Sequence, residues 1–322
     1  MALSAFDFEQ PVIDLENELK ALQELNPPPD NLAEQVSALR ERIERTRREI
    51  YDNLSAWQIL QIARHQARPR ALDYVRRIFT DWTELHGDRA YGDDHACIAG
   101  FALLDEQPVC LIGQQKGLDV RDNAYRNYGM MHPEGYRKAL RVMRLAEKFG
   151  RPVICLLDTA GAFPGVGAEE RGQAEAIARN ILEMSTLRTP VICIVIGEGG
   201  SGGALGIGVG NRVLMQQYAF YSLISPEGCA SILWRDAKFA PEAARALKFT
   251  ARDLKELGVI DEIIPEPEGG AHRDANMAAR LVGQAIRGHL AQLRAMSIDE
   301  IVEDRFQKFR RIGQWEEIET AP

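Results

Sequence analysis

The chain has 322 residues, 45% hydrophobic and 27% charged, which excludes a disordered chain too poor in apolar residues to bury a core and fits about two domains, or one with an extension. No run approaches the ~18 uncharged apolar residues of a membrane span. Net charge is −8, from 39 Lys+Arg and 47 Asp+Glu, which argues against a global nucleic-acid binder.

The first ten residues carry no basic stretch and no apolar stretch, with acids already at Asp7 and Glu9. Neither a signal nor a transit peptide is expected, and the cytoplasm is the expected compartment. Leu15, Leu19 and Leu22 share one helical face, and the prolines of N-P-P-P-D at 26–30 cannot continue that helix. Leu32, Val36, Leu39 and Ile43 follow at helical spacing, with alternating Arg and Glu on the other faces. An antiparallel helical hairpin with a narrow apolar seam is expected, the seam meeting either a partner or the main body. Ser55-Ala-Trp-Gln58 reads as a capping box, and a further helix is expected near 71–79.

From residue 95 the pattern becomes strand, loop, helix. Cys97–Leu104 and 109–113 are apolar runs joined by a hairpin signal at 105–108. Residues 133–149 form an amphipathic helix, and 153–157 a buried strand. A helix over 168–187 and a second buried strand over 191–196 follow, then a glycine-rich loop and a helix of small residues. Residues 212–215 and 220–224 are expected to pair as strands. Pro226 starts a helix, Thr250 caps another over 251–257, and 259–264 is a last strand. Helices over 275–295 and after the Ser297–Glu300 capping box close the chain. Strand–loop–helix units recur at 109–149, 153–187, 191–210 and 220–233, which indicates an α/β fold of repeated β-β-α units. The expected division is 1–85 for the helical extension, 86–270 for the core and 271–322 for the C-terminal helices.

Cys97, Cys110, Cys155, Cys193 and Cys229 form no C-x-x-C pair, and four of them lie in apolar runs, so buried structural thiols are expected. The six histidines show no metal-ligand spacing, and no metal is expected. Between Lys116 and Arg151 stand nine Lys/Arg against four acids. That window is either a solvated helix face or a surface for an anionic partner.

Two loops follow buried strands, where ligands bind in α/β proteins. The first is Asp158-Thr-Ala-Gly-Ala-Phe-Pro-Gly-Val-Gly167. The second, 197–210, has eight glycines in fourteen residues. Gly197-x-Gly199-x-x-Gly202 fits a dinucleotide fingerprint but lacks the acidic residue expected about 20 positions on. Gly199-x-Ser201-x-Gly203 fits a serine-hydrolase elbow, which would need His272 with Asp261 or Glu262. The third reading uses the backbone: N–H groups at a strand-to-helix junction form an oxyanion hole. The alternative is tight helix packing, and the glycine density argues against it, since each glycine in a helix costs about 1 kcal/mol.

Eight segments then converge: D-F-E-Q-P (7–11), G-D-R-A-Y-G-D-D (87–94), Q-K-G (115–117), P-E-G-Y-R-K-A-L-R (133–141), G-A-F-P-G-V-G-A-E-E-R-G-Q (161–173), V-I-G-E-G-G-S-G-G-A-L-G-I-G-V-G (195–210), I-S-P-E-G-C-A-S-I-L-W (224–234) and I-I-P-E-P-E-G-G-A-H-R (263–273). Together they resemble the alpha subunits of the acetyl-CoA carboxylase carboxyltransferase family, from about residue 5 to the mid-290s. The resemblance implies a crotonase-like fold of β-β-α superhelical repeats with an N-terminal helical extension. It implies transfer of a carboxyl group from carboxybiotin to acetyl-CoA, giving malonyl-CoA for fatty acid synthesis. The biotin would sit on a separate biotin carboxyl carrier protein, charged by a biotin carboxylase. A zinc-bearing beta subunit would complete an α2β2 assembly, which leaves this chain metal-free and off the membrane.

By similarity Gly203 and Ala204, with Gly202, supply backbone N–H groups to the biotin oxyanion. Gly161, Ala162, Phe163, Pro164, Gly165, Gly199, Gly200, Ser201 and Gly206 shape the biotin cleft. Lys116, Arg137 and Lys138 are candidate contacts for coenzyme A or the carrier. The family usually has proline where Ala160 stands, and the alanine is expected to loosen that turn.

Overall fold

The computed structural model describes residues 6–25, 27 and 29–313. Of the expected proline stop, Asn26 and Pro28 lie outside the described residues, as do residues 1–5 and the tail from 314. The strands are β1 (Thr80–Glu84), β2 (Cys97–Leu104), β3 (Gln107–Gln114), β4 (Val153–Thr159), β5 (Val191–Gly200), β6 (Arg212–Gln216), β7 (Phe220–Ser222) and β8 (Glu262–Ile264). They form one sheet in the order β1-β2-β3-β4-β5-β6-β8, with β7 beside β5. The β1–β2 and β2–β3 pairs are antiparallel, and every later pair is parallel.

The β2–β3 hairpin turns on Asp105 and Glu106, both at positive φ (48° and 65°), as a two-residue turn matching strand twist requires. The parallel strands are covered on both faces, which is why they read as unbroken apolar runs. On one face Cys110, Cys155, Cys193 and Val195 pack against Tyr136, Val142 and Met143 of the helix Pro133–Lys148 and Met184 of Gln173–Thr186. On the other, Leu111, Ile154, Leu156 and Ile194 pack against Tyr74 and Val75 of Ala71–Ile78 and Val282, Ile286 and Leu290 of Ala275–Arg294. Each Val, Leu, Ile or Met side chain so removed from water contributes about 1.5–3 kcal/mol. The four strand cysteines are free and buried.

Helices Gln10–Gln23 and Leu32–Asp52 pack on each other through Val12, Leu15 and Ile43, so their seam is filled within the hairpin. The base of the hairpin is tied down. Glu9, buried, accepts from Tyr51 Oη at 2.9 Å and Arg273 Nη2 at 2.5 Å, while Tyr51 packs with Tyr218 and Ile62. The expected boundary at 85 falls just after β1, whose pairing with β2 joins the end of the extension to the sheet.

Three expectations are corrected. β6 and β7 do not pair with each other. Both lie beside β5, β6 along 192–195 and β7 along 198–200, because β5 runs on through Gly199 and Gly200 where a loop was expected. The helix over 168–187 is two, Val166–Glu170 and Gln173–Thr186, broken at Gly172 with φ 81°. The last strand is only Glu262–Ile264. The capping boxes at Ser55 and Ser297 form as expected, and the expected cap at Thr250 is likewise a capping box.

Candidate functional site

β4 and β5 are neighbours, so the two loops singled out in the sequence leave the sheet side by side. At Gly200 the chain turns into the short helix Ser201–Leu205. Ser201 takes the left-handed conformation, φ 53°, at that turn. The first loop lies directly on the second. A Cβ on Gly200 would overlap the Ala160 carbonyl, and one on Gly203 would overlap Gly161 and the Ala162 nitrogen. Glycine is required here by the close approach of two backbones.

The turn is held from beneath. Gln114, at the end of β3, donates from Nε2 to the Gly203 carbonyl at 2.7 Å and accepts the Asp158 N–H at 3.1 Å. Tyr136 Oη also donates to the Gly203 carbonyl, at 3.2 Å, and burial pushes its phenol pKa up, keeping it a donor. Gly206 gives way to the Tyr136 ring, which a Cβ would approach at 2.6 Å. Asn180 donates to the carbonyls of Tyr136 and Gly206, both at 3.0 Å. Among the described residues the Gly203 N–H donates to no backbone carbonyl outside its own helix, as expected of a first-turn position.

The first loop is also anchored. Thr159 Oγ1 donates to the Gly161 carbonyl at 2.7 Å and accepts the Gly161 N–H at 3.2 Å, closing the turn beside Ala160. Phe163 donates its N–H to the Met131 carbonyl at 3.1 Å and stacks on His132 at 4.0 Å, while Gly165 lies against its ring. Gly161, Ala162 and Phe163 are half-buried and Pro164 is exposed. Gly199, Gly200, Gly203, Ala204 and Gly206 are buried, Gly202 is half-buried, and Ser201 is exposed. The cleft residues are therefore brought together.

The three candidate cationic contacts are bound to internal carboxylates. Lys116 Nζ lies 2.8 Å from Asp158 and 2.5 Å from Glu198. Arg137 Nε donates to Asp88 at 2.7 Å. Lys138 has no exposed side-chain surface and donates to Asp93 at 2.6 Å and the Asp94 carbonyl at 2.7 Å. Its ammonium is not open to a soluble anion in this chain. A cleft of about 630 Å³ opens beside the loops, with Arg64, Arg68, Lys116, Tyr128, Ala160 and Glu198 in its walls. The roles of Gln114, Glu198 and Tyr136 were missed in the sequence. The available signal was two glutamines closing the apolar run of β3.

The hydrolase elbow does not assemble. Among the described residues no hydrogen bond joins Ser201 to a histidine. The His272 ring lies 4.1 Å from His65, and burial, then His65 and the nearby arginines, push its pKa down to about 3. Asp261 is taken by the Val213 N–H and Lys308, and Glu262 by His289. No group of three or more His, Cys, Asp or Glu among the described residues could hold a metal ion, and no helix among them is long and apolar enough to cross a membrane.

The family model described as acetyl co-enzyme A carboxylase carboxyltransferase-like matches residues 5–313. Acetyl-coenzyme A carboxylase carboxyl transferase subunit alpha of Geobacter metallireducens is 54% identical over 97% of this chain and 98% of its own. That of Geobacillus kaustophilus is 52% identical over 97% and 96%. Among solved structures, a Pseudomonas malonate decarboxylase hetero-tetramer in complex with coenzyme A matches with TM-score 0.58 and 16% identity over 74% of this chain and 92% of that one. Transcarboxylase 12S matches with TM-score 0.55 and 17% identity over 80% and 45%. These two speak to the fold alone, which is crotonase-like.

Proposed function

The chain belongs to the acetyl-coenzyme A carboxylase carboxyltransferase family as an alpha-type subunit, and from that premise we propose that its two crossed loops hold the carboxyl donor during transfer to acetyl-CoA. The donor would be biotin on a separate carrier protein, loaded by a biotin carboxylase. A zinc-bearing beta subunit in an α2β2 assembly would complete the site and bind the enolate of acetyl-CoA.

Biotin supplies the carboxyl group and a ureido oxygen that becomes electron-rich as that group leaves. The residues here fit such an oxygen: Gly203 and Ala204 stand in the first helical turn, and Gly161 and Ala162 leave no space for a side chain on Gly203. The N–H groups of Gly203 and Ala204 hold developing negative charge. They need no reorganisation, because Gln114 and Tyr136 fix the Gly203 carbonyl and with it the turn. Gly202 keeps the approach open, and Phe163 is held in place by its stack on His132. Ser201 lines the entrance. Arg137, with 27% of its side chain exposed, is the candidate contact for coenzyme A or the carrier. No side chain of this chain forms a covalent bond to substrate, and its contribution is electrostatic. The single observation carrying the reading is the fixed carbonyl of Gly203 beneath a turn that admits no Cβ.

The test is malonyl-CoA formation from acetyl-CoA and carboxylated carrier, with this chain alone and with a competent beta subunit. Activity only in the mixture is expected. Activity of the chain alone would place both oxyanion sites here and overturn the division of labour.

A further inference from the structure

We propose that Lys116 is a positioning residue that fixes the spacing of the two carboxyl-transfer loops. This rests on the reading that those loops hold the carboxyl donor. Lys116 lies two residues beyond β3, and its ammonium sits between the roots of both loops. Asp158, 2.8 Å away, stands two residues before Ala160 in the first. Glu198, 2.5 Å away, stands two residues before Gly200 in the second. Ala160 and Gly200 are where the two backbones touch. The clamp is closed by a second link, since Asp158 Oδ1 also accepts the Glu198 N–H at 3.0 Å. Glu198 in turn accepts from Arg64 Nε at 2.7 Å, and Arg64 Nη1 donates to Glu227 at 2.6 Å, so three carboxylates face two cations.

The two carboxylates are largely buried at the wall of the cleft, with 7% of the Asp158 side chain and 9% of Glu198 exposed against 18% of Lys116. Two buried carboxylates sharing one ammonium repel each other once that ammonium is gone. A proton taken up by one carboxyl would leave the loops in place, whereas separation of the strand ends past the Thr159–Gly199 pairing opens the Ala160–Gly200 contact, and it is this separation that the exchange test reads. Burial pushes the Glu198 carboxyl up, yet Lys116 and Arg64 outweigh it and hold it below its ordinary value, in keeping with an ionised pair. Lys116 thus acts on the Gly203 turn through Glu198 and Asp158, without touching substrate.

Lys116→Met is compared with Lys116→Met/Glu198→Gln. The double variant removes the Glu198 charge together with that of Lys116, so Asp158 no longer faces a second carboxylate, while the amide oxygen still accepts from Arg64, which keeps Glu227. Hydrogen exchange of the chain itself is the first readout. In Lys116→Met, amides over 158–163 and 198–204 should exchange at least about tenfold faster, with 133–148 unchanged. In the complex with beta, kcat should fall about a hundredfold, as for displaced catalytic groups, with KM for acetyl-CoA little changed. The double variant should recover most of the protection and at least about a tenth of wild-type kcat.

Unchanged exchange would overturn the proposal. So would a raised KM with kcat kept and no recovery in the double variant, the pattern of a direct coenzyme A contact. If Lys116→Met does not fold, the double variant carries the test, and loop exchange in it as fast as in an unfolded peptide overturns the proposal. Gly203→Val tests the underlying reading separately: full activity there sinks the loop assignment and leaves the exchange result on Lys116 standing.

Discussion

Gly203 stands so close to Gly161 that a Cβ on it would overlap the Gly161 carbonyl carbon. Neither backbone is free to retreat, since Gln114 and Tyr136 hold the Gly203 carbonyl and Thr159 Oγ1 holds both polar groups of Gly161. Even Gly203→Ala should therefore cost about 10²-fold or more in kcat, the range for loss of one oxyanion donor. Gly202, whose added Cβ would meet only Ile177 at 3.9 Å, should tolerate alanine far better. Steady-state kinetics of the two variants in complex with beta separate the cases, and equal losses would refute the backbone role of Gly203.

Ser201 is exposed and has no histidine partner, so Ser201→Ala should change malonyl-CoA formation by less than about threefold, as expected of a surface position without a bond to lose. A serine-directed fluorophosphonate probe should leave the chain unlabelled. Stoichiometric labelling of Ser201 would revive the nucleophile reading, which the pairing of His272 with His65 and of Asp261 with Lys308 argues against.

How much of this was legible in the sequence depends on whether a partner lies nearby in the chain. Ser55, Thr250 and Ser297 announce helices because each bonds a group three residues on. The run at 153–157 announces a central strand because both faces are covered. Gly199 and Gly200 read as loop, and they are strand because Phe220–Ser222 lies beside them. The density of glycine over 197–210 was read as a reason against tight packing, yet of these only Gly202 and Gly203 lie in a helix, and several of the others make close contact with Tyr136, Tyr221 and the 160–162 backbone. Lys116 and Lys138 looked like surface cations because their carboxylates lie 82 and 45 residues away. Such pairs leave no local periodicity to read.

Arg305, in the final helix Ile298–Arg310, is wholly buried. It donates to the carbonyls of Met184, Leu187 and Thr189 at 2.6, 2.8 and 2.7 Å and to Asn211 Oδ1 at 2.7 Å. This cation closes the C-terminal ends of the helix Gln173–Thr186 and its connection to β5, the strand that carries the glycine turn. Arg305→Leu strands those acceptors without water, and a loss of about 3 kcal/mol or more in unfolding free energy is expected. Arg305→Lys should recover only part, because an ammonium lacks the planar fork. Urea unfolding of the three chains checks this, and a leucine variant within ~0.5 kcal/mol of wild type would refute it.

Asp88 accepts the N–H groups of Ala90, Tyr91 and Gly92 through Oδ1 and Arg137 Nε through Oδ2. Burial acts to raise its pKa, but those four donors outweigh it and bring the carboxyl down to about 2 from the ordinary 3.8. The folded chain then binds fewer protons than the unfolded one between those values. The stabilisation is complete above the unfolded pKa and is lost as pH falls through about 2. It amounts to roughly 2 kcal/mol. Asp88→Asn should be less stable by about that amount at pH 7, and its stability should fall less steeply between pH ~4 and ~2. Asp93 keeps part of the slope, since Lys138 and the Gly87 N–H hold it low against the opposing effect of burial. Denaturant unfolding stepped through pH 7 to 2 gives both curves. Parallel curves would mean that the Asp88 contacts form equally well with the protonated acid. The same substitution weakens one of the three contacts of Arg137, which keeps the Arg171 carbonyl at 3.1 Å and Glu134 at 3.6 Å, so a rise in KM for acetyl-CoA without loss of kcat would tie that guanidinium to substrate binding.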